Sequence, residues 1–234
     1  MTKMVAIHQP NFFPWLGYFD KIARSDSFIF LDHVQYKKTG GGWSNRVKLR
    51  LGCEVRWSTA PINRSFHGVA RVNQLEWASG HPWREKLIKS LEVNYAKCQF
   101  FLETMDVVLP LIGNQEQNLA CYNINAICGI ANHIGLDVSH SVLSSSLRVA
   151  GQANEMLVAL TKAVDGNAYM CGGGADGYQD PSVFESAGVA LVRQDFQHPV
   201  YSQVGGGEFL PGLSIVDALM NIGSAGVASF FGVK

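Results

Sequence analysis

Residues 4–9 read MVAIHQ, and residues 27–33 read SFIFLDH. Each segment is a short apolar run followed at once by polar side chains, which predicts two buried parallel strands. The carboxyl ends of parallel strands meet at one edge of a sheet, and ligands bind outside that edge in open α/β folds. We therefore expect a site where His8, Gln9 and Asp32 emerge from the sheet.

The segment between the two runs supports a strand–loop–helix–strand unit. Pro10 and Pro14 exclude a helix directly after the first strand. Apolar spacing predicts a helix over residues 16–23. The intervening loop is rich in aromatic residues and costly to expose, so we expect it to cover a pocket or to pack against neighbouring elements. The alternative is a hydrophobic plug that closes one end of the sheet.

The rest of the chain predicts an α/β fold. Residues 43–60 have the pattern of a strand pair, and apolar spacing of three and four residues predicts helices within 82–135. Strands and helices alternate again over 138–193, which is typical of a parallel sheet. The predicted fold is a mostly parallel, Rossmann-like sheet flanked by helices, with a helical insertion mid-chain. We expect one domain over 1–234, with 82–135 as a candidate helical subdomain.

Composition narrows the range of partners. Lysine and arginine together number 19, as do aspartate and glutamate, so the net charge is zero. A nucleic-acid partner is not expected without a basic stripe, and neutral charge also argues against attachment to an anionic membrane. Residues 213–231 are apolar but contain Asp217 and Asn221, which predicts a buried helix rather than a membrane span. The chain begins directly with a strand, so we expect no signal peptide.

The five cysteines include no CxxC pair and predict reduced thiols in a cytoplasmic protein. Cys171 precedes Gly172-Gly173-Gly174. Two interpretations stay open for this residue: a nucleophile activated by local dipoles, or a buried core residue. The glycine run lacks the spacing of a Rossmann fingerprint and the lysine of a P-loop.

Several separated blocks of sequence resemble the WbqC-like protein family, in order and over nearly the whole chain. They are His8-Gln9-Pro10, Pro14-Trp15, Gly17-Tyr18, residues 32–36 (DHVQY), Trp43, Asn45-Arg46, Gly173-Gly174, Tyr178, residues 201–203 (YSQ), residues 211–217 (PGLSIVD) and residues 221–223 (NIG). The chain has Asp32-His33 where the family usually has two aspartates, so a role that needs adjacent carboxylates is not carried over. Cys171 is also not a residue expected from the family.

The resemblance implies a role in bacterial surface-polysaccharide (O-antigen) biosynthesis. It implies transfer of an acyl or aminoacyl group to a nucleotide-linked amino sugar. Imidazole chemistry suits this reaction, with His8 as the general base and Asp32 orienting it. The residues expected to line the substrate pocket are Gln9, Asn11, Gln35, Trp43, Asn45, Arg46, Tyr178, Tyr201 and Gln203.

No cofactor is expected beyond the group donor, which would be acyl-CoA or a thioester on an acyl-carrier protein. The histidines form neither HxxxH nor HxH, so no metal is expected. No GxSxG sequence is present, which argues against a serine hydrolase.

Two alternatives from other classes stay open. The N-terminal strand–loop–helix–strand order also resembles the start of HIGH-type nucleotidyltransferases and of adenylating amide ligases, which need ATP and magnesium. This chain has Trp15 and Tyr18 where those enzymes have the two histidines of H-x-G-H, so only the fold analogy applies. The third interpretation is a non-catalytic sugar-binding or scaffold subunit, because the N-terminal aromatics could stack on sugars or on a partner. The oligomeric state is not predicted.

Overall fold

A computed structural model describes residues 1–36, 42–66, 68–173 and 179–233. The strands are β1 (Met4–His8), β2 (Ser27–Phe30), β3 (Arg46–Leu51), β4 (Glu54–Thr59), β5 (Ser141–Leu143), β6 (Ala168–Cys171) and β7 (Ala190–Arg193). The α-helices are α1 (Leu16–Ala23), α2 (Trp83–Tyr95), α3 (Phe101–Gly113), α4 (Leu119–His133), α5 (Ala153–Ala163), α6 (Pro181–Ser186) and α7 (Ile215–Ser229).

The chain divides into two compact units. The sheet unit comprises Met1–Gln9, Gly17–His33 and Asp137–Gln197. The hairpin–helix unit comprises Pro10–Leu16, Val34–Leu136 and His198–Lys234. Each unit is therefore built from segments that are distant in the sequence.

The sheet unit contains five parallel strands in the order β5-β2-β1-β6-β7. From the central β1 the chain adds β2 and then β5 on one side, and β6 and β7 on the other. The strand order thus reverses between β1 and β6, which is the switch point of a doubly wound fold. The predicted α/β class, the mostly parallel sheet and the mid-chain helices are confirmed.

Buried apolar side chains explain why these strands are central. Val5, Ile29 and Tyr169 belong to one core cluster, and the first two are fully buried. Phe184 of α6 lies parallel to the Tyr169 ring, with 5.5 Å between the ring centroids. Leu160 of α5 joins the same cluster. The helices that follow β5 and β6 therefore bury one face of the sheet.

The hairpin–helix unit combines the antiparallel pair β3–β4 with four helices. The hairpin turns at Gly52, whose φ of 66° is the left-handed conformation that glycine adopts without strain. The proline-rich loop of residues 10–15 packs inside this unit. Phe12 is 1% exposed and contacts the rings of Trp77, Trp83 and Tyr122. None of the helices in the described part of the chain is long and apolar enough to cross a membrane.

Candidate functional site

The carboxyl ends of all five parallel strands lie at one edge of the sheet unit. β1 ends at His8, which is level with Phe30 of β2, so Asp32 follows just beyond. β6 ends at Cys171 and continues into Gly172. The strand order reverses between β1 and β6, so His8 and Gly172 flank the position where doubly wound sheets bind ligands.

The His8 ring is held in a defined tautomer. Its Nδ1 lies 3.0 Å from the Gln9 carbonyl oxygen, which can only accept, so Nδ1 carries the proton and Nε2 carries the lone pair. Tyr18 supports the arrangement, since its hydroxyl donates to the same carbonyl and its ring centroid lies 4.8 Å from that of His8. Burial, reinforced by the positive charge of Lys21, lowers the pKa of His8 to about 3. The imidazole is therefore neutral at pH 7.

Asp32 organises the turn that follows β5. Its carboxylate accepts hydrogen bonds from the Ser144 hydroxyl at 2.8 Å, and from the amide and hydroxyl of Ser145 at 2.9 and 2.6 Å. The Ser144 oxygen also lies 2.6 Å from Nδ1 of His33. These contacts tie together the ends of β2 and β5. The orienting role of Asp32 toward His8 stays a prediction, because the hydrogen bonds described for Asp32 run to the two serines.

Lys21 also lies at this edge of the sheet, although the sequence pattern of α1 does not predict a buried lysine there. It lies on α1 and is 4% exposed. A Cβ placed on Gly172 would lie 3.3 Å from the Lys21 ammonium nitrogen and 3.6 Å from the side-chain oxygen of Gln194. The Gln194 amide nitrogen donates to the Gly17 carbonyl and to the Asp20 carboxylate, at 2.6 and 2.8 Å. The absence of a side chain at Gly172 thus provides the space that Lys21 occupies.

Cys171 is a core residue in this structure. It is 6% exposed and belongs to the same buried cluster as Val5 and Phe184. None of the five cysteines, all within the described part of the chain, forms a disulfide bond. Of the two interpretations of Cys171, its burial supports the structural one.

Trp43 and Arg46, two of the predicted pocket residues, lie together on the hairpin–helix unit. The Trp43 ring contacts those of Trp15 and Trp57, with both centroid distances at 4.9 Å. The Arg46 guanidinium stacks over Trp57 at 4.0 Å and donates to the Gly42 carbonyl at 3.0 Å. Partly exposed tryptophans in tilted and edge-on contact, with a cation over one of them, form a surface suited to a planar or sugar ring.

Asn45, Asn11 and Gln35 have different surroundings within that unit. The Asn45 amide is buried; it accepts from the Tyr36 hydroxyl at 3.0 Å and donates to the Ala60 carbonyl at 2.8 Å. These bonds hold the loop before β3 in place. Asn11 is also buried. Gln35 is exposed and forms an antiparallel bridge with Arg71.

Tyr201 and Gln203 converge on the carboxylate of Asp217, which is fully buried near the start of α7. The hydroxyls of Tyr201 and Tyr95 donate to it at 2.7 and 2.9 Å, and the Gln203 amide nitrogen donates at 3.1 Å. Burial raises the pKa of Asp217, and the hydrogen bonds together with nearby Arg50 oppose this shift. Tyr201 and Gln203 also line an open depression of about 430 Å³.

Tyr178 lies outside the described residues. Within the described part of the chain, no group of three or more histidine, cysteine, aspartate or glutamate side chains is placed to hold a metal ion.

Four polar residues at the sheet edge were not predicted from the sequence: Lys21, Ser144, Ser145 and Gln194. The two serines lie more than 110 positions from Asp32, and no local pattern marks them. Gln194 had a weak signal, since it directly follows β7 and therefore emerges at the same edge as His8. Lys21 lies off the predicted apolar stripe of α1 and is typical of a solvent-exposed lysine.

This fold and edge define the class of the protein: a doubly wound α/β protein with polar and ionisable groups at its switch point. The sequence model of the WbqC-like protein family matches residues 9–229, and the chain belongs to that family. It is 32% identical over 229 residues to the uncharacterized protein Rv1507c of Mycobacterium tuberculosis strain ATCC 25618 / H37Rv, with 95% of each chain covered. No solved structure matches the chain.

Proposed function

We propose that the protein transfers an acyl or aminoacyl group to the amino group of a nucleotide-linked sugar, as a step of surface-polysaccharide biosynthesis. His8 is the proposed general base. The observation that supports this proposal most strongly is the position of a neutral, tautomer-fixed imidazole beside the switch point of the sheet.

The proposed reaction assigns a clear task to Nε2 of His8. The sugar amine attacks the carbonyl carbon of a thioester, the new C–N bond forms, and the C–S bond breaks. Nε2 accepts the proton that the amine nitrogen loses and delivers it to the departing thiolate, so that no net proton is gained. The bond between Nδ1 and the Gln9 carbonyl keeps the Nε2 lone pair in place for this transfer.

A pKa of about 3 makes the unliganded imidazole a weak base. Part of that depression comes from the charge on Lys21. An anionic ligand group beside Lys21 would offset this charge and raise the pKa of His8. Substrate binding would therefore bring the base closer to the pKa that proton transfer at neutral pH requires.

The test is a ligand panel followed by turnover. Thermal unfolding is measured with nucleotide-linked amino sugars, acyl-CoA thioesters, and ATP with magnesium. Amide-linked product is then detected by mass spectrometry for the wild type, His8→Gln and His133→Gln. Glutamine at position 8 keeps a neutral polar side chain of similar length but cannot serve as a base, and His133 is an exposed control.

We expect an amino-sugar nucleotide and a thioester each to raise the unfolding temperature of the protein. Turnover should fall about 100-fold or more in His8→Gln and should not fall in His133→Gln. Full activity of His8→Gln would refute the role of the base. Product that forms only with ATP would replace the transferase with an adenylating ligase. A panel without stabilisation or product would contradict both enzymes and favour a scaffold subunit.

A further inference from the structure

Lys21 is a buried cation. Within the described part of the chain, its ammonium forms neither a hydrogen bond nor an ion pair. It is 4% exposed, although lysine is rarely buried to this extent without a partner. Burial lowers the pKa of Lys21 to about 8, while Cys171 and Asp20 oppose the shift. At pH 7 the side chain is still protonated in about nine molecules of ten.

The charged and titratable neighbours of Lys21 offset only part of the cost of burying its charge, since its pKa stays below the usual value. Asp20 lies next to it in the chain, but its carboxylate accepts from Arg24 at 3.2 Å and from Gln194 at 2.8 Å. Cys171 is buried and, like Asp20, raises the pKa of Lys21, but burial has the larger effect. His8 is neutral at pH 7 because its pKa is about 3. An ammonium in such surroundings favours an external anion, because removing a charge from water without a counter-charge is costly.

The space beside Lys21 suits such an anion. Gly172 has no side chain between the ammonium and the end of β6. Gly173 follows, and a Cβ placed on it would meet no atom of the described residues within 4 Å, which leaves space beside its backbone. Glycines after a strand at the switch point allow a phosphate to approach the backbone closely, and lysine binds phosphate as a point charge.

We propose that Lys21, with the Gly172–Gly173 backbone beside it, forms a phosphate-binding subsite at the carboxyl ends of β1 and β6. The ligand class is a phosphate or diphosphate ester. The subsite is independent of the transfer reaction, since phosphate binding requires neither an acyl donor nor His8 acting as a base.

Calorimetric titration with inorganic phosphate, pyrophosphate and acetate tests the subsite. The proteins are the wild type, Lys21→Met and Lys162→Met. Methionine keeps much of the length and the apolar stem of lysine but removes its charge, and Lys162 is an exposed lysine of the same unit. We expect pyrophosphate to bind the wild type and Lys162→Met, and Lys21→Met to lose about 10- to 100-fold in affinity. Acetate should bind more weakly than pyrophosphate.

A second measurement separates loss of the subsite from loss of the fold. Because Lys21→Met removes a buried charge whose desolvation its neighbours offset only in part, the variant should unfold at a higher temperature than the wild type without ligand. Pyrophosphate should stabilise only the wild type. Equal pyrophosphate affinity in Lys21→Met and the wild type would overturn the proposal. No binding to the wild type at millimolar pyrophosphate would also overturn it, and acetate binding as tightly as pyrophosphate would refute the phosphate assignment.

Discussion

Acid should destabilise the protein through His8, because the folded state keeps this imidazole neutral far below its usual pKa. Burial, followed by the charge of Lys21, lowers the pKa of His8 from 6.5 to about 3. Between these pH values the unfolded chain binds a proton at position 8 and the folded chain does not. The free energy of unfolding therefore falls as the pH drops from about 6.5 toward 3.

The size of this loss follows from the pKa difference of His8. Each pKa unit corresponds to about 1.4 kcal/mol, so the full difference sets a ceiling of about 5 kcal/mol. His8 as a residue is half-buried, so solvent screening reduces this ceiling. We therefore expect about 2–3 kcal/mol of the loss in stability between pH 7 and pH 4 to come from His8.

Urea unfolding of the wild type and His8→Gln at pH 7, 6, 5 and 4 isolates this contribution. Other groups titrate in both proteins, so the difference between their unfolding free energies reports His8 alone. We expect the unfolding free energy of His8→Gln to rise steadily relative to that of the wild type as the pH falls. A wild-type–variant difference that stays constant from pH 7 to pH 4 would refute the reasoning, as would an NMR titration of His8 near pH 6.5.

The remaining predictions concern Lys21, Gly172 and Asp217. The pKa of Lys21 is about 8 in the folded protein and 10.5 in the unfolded chain. Raising the pH from 8 to 10.5 should therefore stabilise the wild type relative to Lys21→Met by up to about 3 kcal/mol, measured by urea unfolding. A difference in unfolding free energy that stays constant over this range would contradict the burial of the charge. Gly172→Ala should bring a methyl group into close contact with the Lys21 ammonium and weaken pyrophosphate binding, measured by calorimetry. Unchanged affinity would show that the free space beside Gly172 is not needed for binding. Asp217→Ala should cost about 3–5 kcal/mol in urea unfolding, because two tyrosine hydroxyls lose their acceptor and the Gln203 amide loses one of two. Tyr201→Phe should cost about 1 kcal/mol, and equal losses would argue against this network.

The sheet could be predicted from sequence because its signals are local. The apolar runs at residues 4–7 and 27–31 mark strands that are buried on both faces, and the spacing of Leu16, Phe19 and Ile22 marks α1. The helices of the hairpin–helix unit follow from the same three- and four-residue spacing. Each of these patterns lies within one element, so neighbouring residues suffice to recognise it.

The candidate site could be predicted only in part, because its chemistry depends on contacts between distant segments. The position of His8 after β1 could be inferred from the strand pattern. The burial of Lys21 depends on Gly172, about 150 positions later in the chain. Tyr201 and Gln203 were predicted as ligand contacts. In the structure their side chains donate hydrogen bonds to the buried carboxylate of Asp217, a contact that forms only in the folded chain.

The proposed function requires ligands to bind at the carboxyl edge of the sheet, between the ends of β1 and β6. Hydrogen–deuterium exchange of the intact protein with and without UDP-glucosamine, a nucleotide-linked amino sugar, tests it most directly. We expect slower exchange in peptides that cover residues 8–9, 31–33 and 171–173, with the protection at 171–173 reduced in Lys21→Met. Slower exchange confined to the tryptophan-bearing hairpin of residues 43–59, with the sheet edge unchanged, would contradict it.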